Sequence, residues 1–110
     1  MMVYSYITML WRERVTPEAI IKLSKALGDP TRFRILQAIA ATEEIACGAL
    51  TARFPITQAT CSQHLKVLAD AGLIVMRREG QFNYYHLVRE TLEAYRRAVG
   101  EAFAGVTSLA

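Results

Sequence analysis

The sequence has little with which to staple itself, perform chemistry or cross a membrane. Of its 110 residues only Cys47 and Cys61 are cysteine. That is too few for the disulfide framework of a small secreted domain. No P-loop, G-x-S-x-G, H-E-x-x-H or glycine-rich nucleotide fingerprint is present, so the chain reads as a non-enzyme without a cofactor. The acid pair Glu43-Glu44 falls in a loop, where solvation accounts for it. No apolar run approaches the ~20 residues of a membrane span. The opening "MMVYSYITML" has neither a basic flank before it nor a small-residue cleavage site after it, so the expectation is a cytoplasmic protein. Repeats and low-complexity runs are also missing.

What is present suits one globular domain over residues 1–110. Hydrophobic residues make up 53% and charged residues 21%, enough apolar matter for a core. The net charge of +3 permits nucleic-acid binding without demanding it.

The punctuation is clear. Thr16-Pro17-Glu18 supplies an N-cap, a first-turn proline and an early acid, so a helix starts there. Ile20, Ile21, Leu23, Ala26 and Leu27 follow at helical spacing, and Gly28 closes the segment. Asp29-Pro30 opens a second helix with Phe33, Ile35, Leu36 and Ile39 inside. Ala46 to Phe54 is a short third helix ended by Pro55. Thr57 caps a fourth, which ends at Gly72. Leu73 to Leu87 is rich in β-branched and aromatic residues around a Glu79-Gly80-Gln81 break, which predicts a β-hairpin. From Val88 to Val106 a nearly heptad stripe (Val88, Leu92, Tyr95, Val99, Ala102, Val106) predicts a last helix. Residues 1–15 carry a weaker helical stripe of Val3, Ile7, Leu10 and Trp11.

Two short helices joined by a tight "FPIT" turn and followed by a hairpin describe a winged helix-turn-helix: mainly α with a small β-hairpin. Residues 46–72 are the helix-turn-helix and 73–87 the wing. In the fourth helix Cys61, Leu65, Leu68 and Ala69 form the expected buried face. The other side carries Gln58, Ala59, Thr60, Ser62, Gln63 and Lys66. Glutamine can bond adenine in bidentate fashion, serine either kind of base edge, alanine a thymine methyl, and lysine a phosphate. A merely solvated face carries more acid, and between Thr57 and Ala69 there is none. In the wing, Arg77 and Arg78 precede a turn with Gln81 at its tip, a set that suits a phosphate backbone or a charge-blunted sheet edge. From Thr51 to Arg89 five cations meet two acids, so this region holds the whole net charge.

The stretches "LSKALGDPTRFRILQAI", "TQATCSQHLKVLADAGLI" and "RREGQFNYYHL" resemble the ArsR/SmtB group of bacterial winged-helix repressors, over roughly Ile20 to Leu92. The resemblance implies a homodimer on an inverted-repeat operator in double-stranded DNA, released by an effector. It assigns base reading to Gln58, Ala59, Ser62 and Gln63. Two departures stand out: Gln63 is often histidine in the family, and Gln81 often basic. The family's metal positions, by the same resemblance, read Ala46 and Gly48 on the third helix and Arg89, Thr91, Ala102 and Gly105 on the last. None of these is a ligand, so no metal is expected at either usual site. The dimer contacts should come from the apolar stripes at the two ends: Ile7, Leu10 and Trp11 in residues 1–15, and Leu92, Tyr95, Val99 and Phe103 in residues 88–106.

Cys47, Cys61 and His64 leave three readings open. Cys47 and Cys61 fall on the inward faces of their helices, as buried free cysteines do. They could also be a redox pair, or with His64 a soft-metal site. His64 lies ~90° around the helix from Cys61, beside the buried stripe, where packing suits it better than ligation. His86, among the hairpin tyrosines, reads as structural. The functional expectation is a homodimeric DNA-binding repressor whose effector the sequence does not name. The alternatives are a thiol-responsive repressor using Cys47 and Cys61, or a winged-helix module for protein–protein contact.

Overall fold

The computed structural model describes residues 15–107. Thr16 opens helix α1, Pro17–Leu27, by accepting the Ala19 N–H at 3.1 Å. That satisfies one of the donors every first turn leaves over. Asp29 does the same for α2, Pro30–Ala40, accepting the Arg32 N–H at 2.9 Å. This bond holds the Asp29 carboxyl below its ordinary pKa. Then come β1 (Ile45–Ala46), α3 (Cys47–Thr51), α4 (Gln58–Asp70), β2 (Ile74–Glu79), β3 (Phe82–Leu87), α5 (Arg89–Ala102) and α6 (Ala104–Thr107).

The predicted hairpin is β2–β3, with Arg77 opposite Tyr84 and Glu79 opposite Phe82. Gly80 has φ +62 and no other residue of the turn has positive φ, the type II′ pattern that matches strand twist. The sequence reading missed β1. Ile45 pairs with Tyr85 and Ala46 with Tyr84, giving a three-stranded antiparallel sheet in the order β1-β3-β2. Two residues are too few to show a period of two.

One apolar cluster joins the helices to the sheet. Leu23, Ile35, Ile39, Leu50, Leu65, Leu68, Leu73 and Ile74 are all almost fully buried in it. It fixes α4 from behind through Cys61, Leu65 and Leu68.

Four expectations need correction. Ala69 is exposed, and Ala71 is buried in its place. At ~100° per residue Ala69 lies ~60° off the centre of a narrow stripe, outside it. Phe33 is 47% exposed, being ~200° around α2 from Ile35. The third helix begins at Cys47, because Ala46 is held by the sheet, and ends at Thr51 rather than Phe54. The last helix breaks at Phe103, whose φ of −113° leaves the helical region. Gly100 and Gly105, weak helix formers, flank the break.

In α5 Thr91 and Ala94 are buried, and of the heptad stripe Val88 is buried while Leu92 and Tyr95 pack against the core. Leu92, Tyr95 and Val99 are half-buried, Ala102 is exposed and Phe103 is 62% exposed. Thr91 is fully buried and, among the described residues, its hydroxyl has no hydrogen-bond partner. A buried unsatisfied hydroxyl costs about 1–3 kcal/mol. Thr91→Val, of the same shape, is therefore expected to stabilise the fold by about 1 kcal/mol. A higher urea midpoint at unchanged slope would show it; a lower midpoint would refute it.

Candidate nucleic-acid interface

Helix α4 is held in place at both ends and along its back. Thr57 caps it, accepting the Thr60 N–H at 3.1 Å, and its hydroxyl also donates to the Thr60 hydroxyl at 3.0 Å. Cys61, Leu65 and Leu68 are sunk in the core. Gln58, Ala59, Ser62, Gln63 and Lys66 are all exposed, while Thr60 is half-buried against its cap. The predicted reading face is thus one contiguous, accessible surface. Lys66 sits 3.4 Å from Asp70 one turn on, an exposed pair of small energetic weight.

A lateral strut completes the mounting. Arg32 Nε donates to the Ala26 carbonyl at 2.6 Å and Nη2 to the Lys25 carbonyl at 3.1 Å. Nη1 lies 3.2 Å from His64 Nδ1. One guanidinium therefore ties the last turn of α1 and the first turn of α2 to the flank of α4. Its planar fork suits this divergent set of acceptors. His64 is accordingly a structural partner on this flank. Sequence reasoning missed Arg32, although its place three residues after the Asp29 cap was a usable signal.

The wing separates its two arginines. Arg77 Nε and Nη2 donate to the two oxygens of Glu44 at 2.9 and 2.8 Å, and Nη1 donates to Glu79. The guanidinium also lies 4.8 Å from the centroid of the Tyr84 ring. Its charge is already matched by two carboxylates, and it clamps the loop before β1 to β2. Arg78, on the other face of the strand, donates to the Gly80 carbonyl at 3.2 Å, and Gln81 is exposed at the tip. Nothing in the sequence pointed to Glu44 as the partner of Arg77, 33 positions away.

This clamp sets a pH dependence. Arg77 holds the Glu44 carboxyl below its ordinary value of 4.5, chiefly by hydrogen bonding. A depressed carboxylate contributes stability above its unfolded pKa and loses it as pH falls through the folded one. The wild type is therefore expected to lose more stability than Glu44→Gln between about pH 5 and 3. Thermal unfolding at several pH values measures this; parallel curves would exclude the effect.

Both cysteines border the same core. Cys61 is fully buried on the inner face of α4 and Cys47 is half-buried at the start of α3. Burial, and after it the electrostatic influence of Cys47, pushes the Cys61 thiol up to about 11. Among the described residues no group of three or more His, Cys, Asp and Glu side chains gathers in a metal-holding arrangement. Of the family's metal positions, Arg89 is engaged with the Ala40 carbonyl at 3.1 Å and Thr91 lies in the core.

On α5 a groove of about 640 Å³ is lined by Arg89, Leu92, Glu93, Tyr95, Arg96 and Val99. Three of the four predicted dimer residues of this helix line it, and Phe103 lies beyond it. Tyr95 is anchored by its hydroxyl, 2.8 Å from Ser24 Oγ on α1. Ile7, Leu10 and Trp11 lie outside the described residues. Among the described helices none is long and apolar enough to cross a membrane.

Fold and face together define a winged helix-turn-helix DNA-binding regulator. A family model described as a helix-turn-helix domain matches residues 27–77. The chain is 32% identical to an uncharacterized HTH-type transcriptional regulator, MJ1325, of Methanocaldococcus jannaschii, over 76% of this chain and 94% of that protein. It is 35% identical to the arsenic resistance transcriptional regulator ArsR1 of Pseudomonas putida, over 83% of this chain and 71% of that one. Among solved structures it resembles the homodimeric winged helix-turn-helix DNA-binding domain of a possible ArsR-family regulator from Mycobacterium bovis. That match has 27% identity and a TM-score of 0.64 and covers 77% of this chain and 79% of the other. The chain belongs to the ArsR family of transcriptional regulators, whose members bind DNA and are not enzymes.

Proposed function

We propose that the protein is a homodimeric repressor that reads an inverted-repeat operator with Gln58, Ala59, Ser62 and Gln63 and holds phosphates with Lys66 and Arg78. The observation that carries this is the exposed, acid-free face of α4, mounted on a buried back and the Arg32 strut. Thr60 supports the helix start, Gln81 meets the backbone at the wing tip, and Arg77 shapes the wing on which Arg78 is presented. The apolar groove of α5 supports pairing through Leu92, Tyr95, Val99 and Phe103, extended by Ile7, Leu10 and Trp11. A twofold dimer sets two recognition helices into major grooves about one turn, ~34 Å, apart. The side chains at Ala46, Gly48, Arg89, Thr91, Ala102 and Gly105 do not suit a metal, so no metal effector is expected at these positions.

An electrophoretic shift with duplex DNA from upstream of its own gene, across a range of salt concentrations, tests the reading. A salt-sensitive shift supports it, and no shift at low salt refutes it. Arg78→Ala is expected to flatten the slope of log K against log salt by ~0.9 per protomer, weakening all sequences alike. An unchanged slope removes Arg78 from the interface.

A further inference from the structure

A second groove runs beside the Arg32 strut. It holds about 270 Å³ and lies between α1 and α4, with Arg32 of α2 in its lining. Each helix turns one face to it at positions i, i+3 and i+4. These are Lys22, Lys25 and Ala26 on α1 and Val67, Asp70 and Ala71 on α4. Ala26 and Ala71 are buried and Val67 is an exposed large apolar side chain, so the groove has an apolar floor. Lys22 and Lys25 are exposed, and among the described residues neither pairs with a carboxylate. Asp70, the acid in this lining, already faces Lys66 at 3.4 Å.

Arg32 makes the site more than a pair of surface lysines. A guanidinium carries five N–H donors. The Ala26 carbonyl, the Lys25 carbonyl and the His64 ring engage one on each nitrogen and fix the plane of the group. One N–H on each terminal nitrogen is left, among the described residues without an acceptor. A held guanidinium with a donor to spare on both terminal nitrogens is a ready fork for a carboxylate.

We propose that this groove binds a small organic acid, one carboxylate on a compact aromatic or branched apolar body, and that its binding lowers operator affinity. The second part rests on the DNA-reading role given above. The carboxylate meets Lys22, Lys25 and the spare Arg32 donors, and the apolar body lies on Ala26, Val67 and Ala71. The groove is just below the ~300 Å³ at which pockets for drug-sized ligands begin, so its occupant is small. An inorganic anion leaves the floor uncovered, and a neutral compound leaves the cations unmatched. The mixed lining therefore selects a molecule with both parts. The link to DNA runs through α4, whose Val67 and Ala71 line the groove and whose opposite face carries the reading side chains. A carboxylate on the terminal nitrogens competes with His64 for Nη1, the bond by which the strut reaches α4. The acid thus favours a form in which α4 has lost its lateral hold, and a ligand shifts an equilibrium by its preference between the two forms.

The test uses the full chain with sodium benzoate as probe, benzyl alcohol as its neutral counterpart, and inorganic phosphate as an anion without an apolar body. Amide NMR follows the protein. Fluorescence anisotropy at matched ionic strength follows duplex DNA from upstream of its own gene. Benzoate is expected to bind with a Kd of ~1 mM or tighter, shifting the amides around Lys25, Arg32 and Val67. At saturation it should weaken operator binding at least ~5-fold. Benzyl alcohol and phosphate should bind at least ~10-fold more weakly than benzoate. Lys22→Gln with Lys25→Gln should lose benzoate affinity by at least ~10-fold, yet bind operator like the wild type when no benzoate is present. No benzoate binding, equal binding of all three probes, or full binding by the double variant overturns the site. A double variant with weaker operator binding and a flatter salt slope would place the lysines on DNA phosphates, which overturns it as well. Benzoate that saturates the groove and leaves operator binding unchanged overturns the effector role alone. Protein that binds no DNA without benzoate overturns the reading on which that role rests.

Discussion

Gln58→Ala together with Ser62→Ala is expected to abolish preference for the operator over random DNA while leaving weak, salt-dependent binding intact. Both side chains lie on the exposed side of α4 and neither touches the core, so the fold should be unaffected. A bidentate base contact is worth about 1–3 kcal/mol of discrimination. Two substitutions in each half-site of a dimer would remove at least a hundredfold in specificity, taking the lower end of that range. Non-specific affinity comes from phosphate neutralisation, and no charge has been changed. Competition between operator and random duplex at one fixed salt concentration gives the ratio directly. If the double variant still discriminates as the wild type does, the reading face is not this side of α4.

The second large effect is expected from Arg32→Ala. The Ala26 carbonyl and the ring of His64 lose the bond they make to this side chain, and the Lys25 carbonyl, which keeps the Gly28 N–H at 3.2 Å, loses its second donor. Hydrogen bonds to a charged group are worth about 1.5–3 kcal/mol each, and the carbonyls regain only part of this from water. A loss of about 2–4 kcal/mol in unfolding free energy is expected, with operator affinity falling more than non-specific affinity because α4 loses its lateral support. Arg32→Lys should rescue little, since one ammonium cannot span three divergent acceptors. Chemical denaturation and DNA titration on both variants separate the effects. Full rescue by lysine would show that only the charge mattered.

Much of this was legible in the sequence because it depends on local physics. The caps at Thr16, Asp29 and Thr57 act over three residues, and all three form the bonds their types suggest. The turn at Gly80 is set by one residue able to take positive φ. The face of α4 follows from helical period and composition. What was not legible is long-range. Arg77 reads as a free cation until the fold brings Glu44 to it from the far side of the helix-turn-helix. Arg32 reads as an exposed charge near a helix start until α4 is laid against it. Strand β1 exists only because β3 offers it a partner. On α5 periodicity marks the apolar stripe, but not that Thr91 and Ala94 beside it are the more deeply buried residues of the helix. Both cysteines read as facing inward from their helices, and Cys61 is fully buried while Cys47 is only partly so.

The two residues of β1 have an entropic consequence out of proportion to their length. A lone two-stranded ribbon is marginal in water. By pairing with β3, Ile45 and Ala46 anchor the base of the hairpin to the body of the domain, and the Arg77–Glu44 clamp holds it a second time. The hairpin has therefore lost its conformational freedom at folding and not at the moment of association. A surface that is ordered in advance has less to lose on meeting a partner. In the DNA-binding role proposed above, the wing would reach a duplex as a preset gauge of its curvature, not as a flap that must first be tamed.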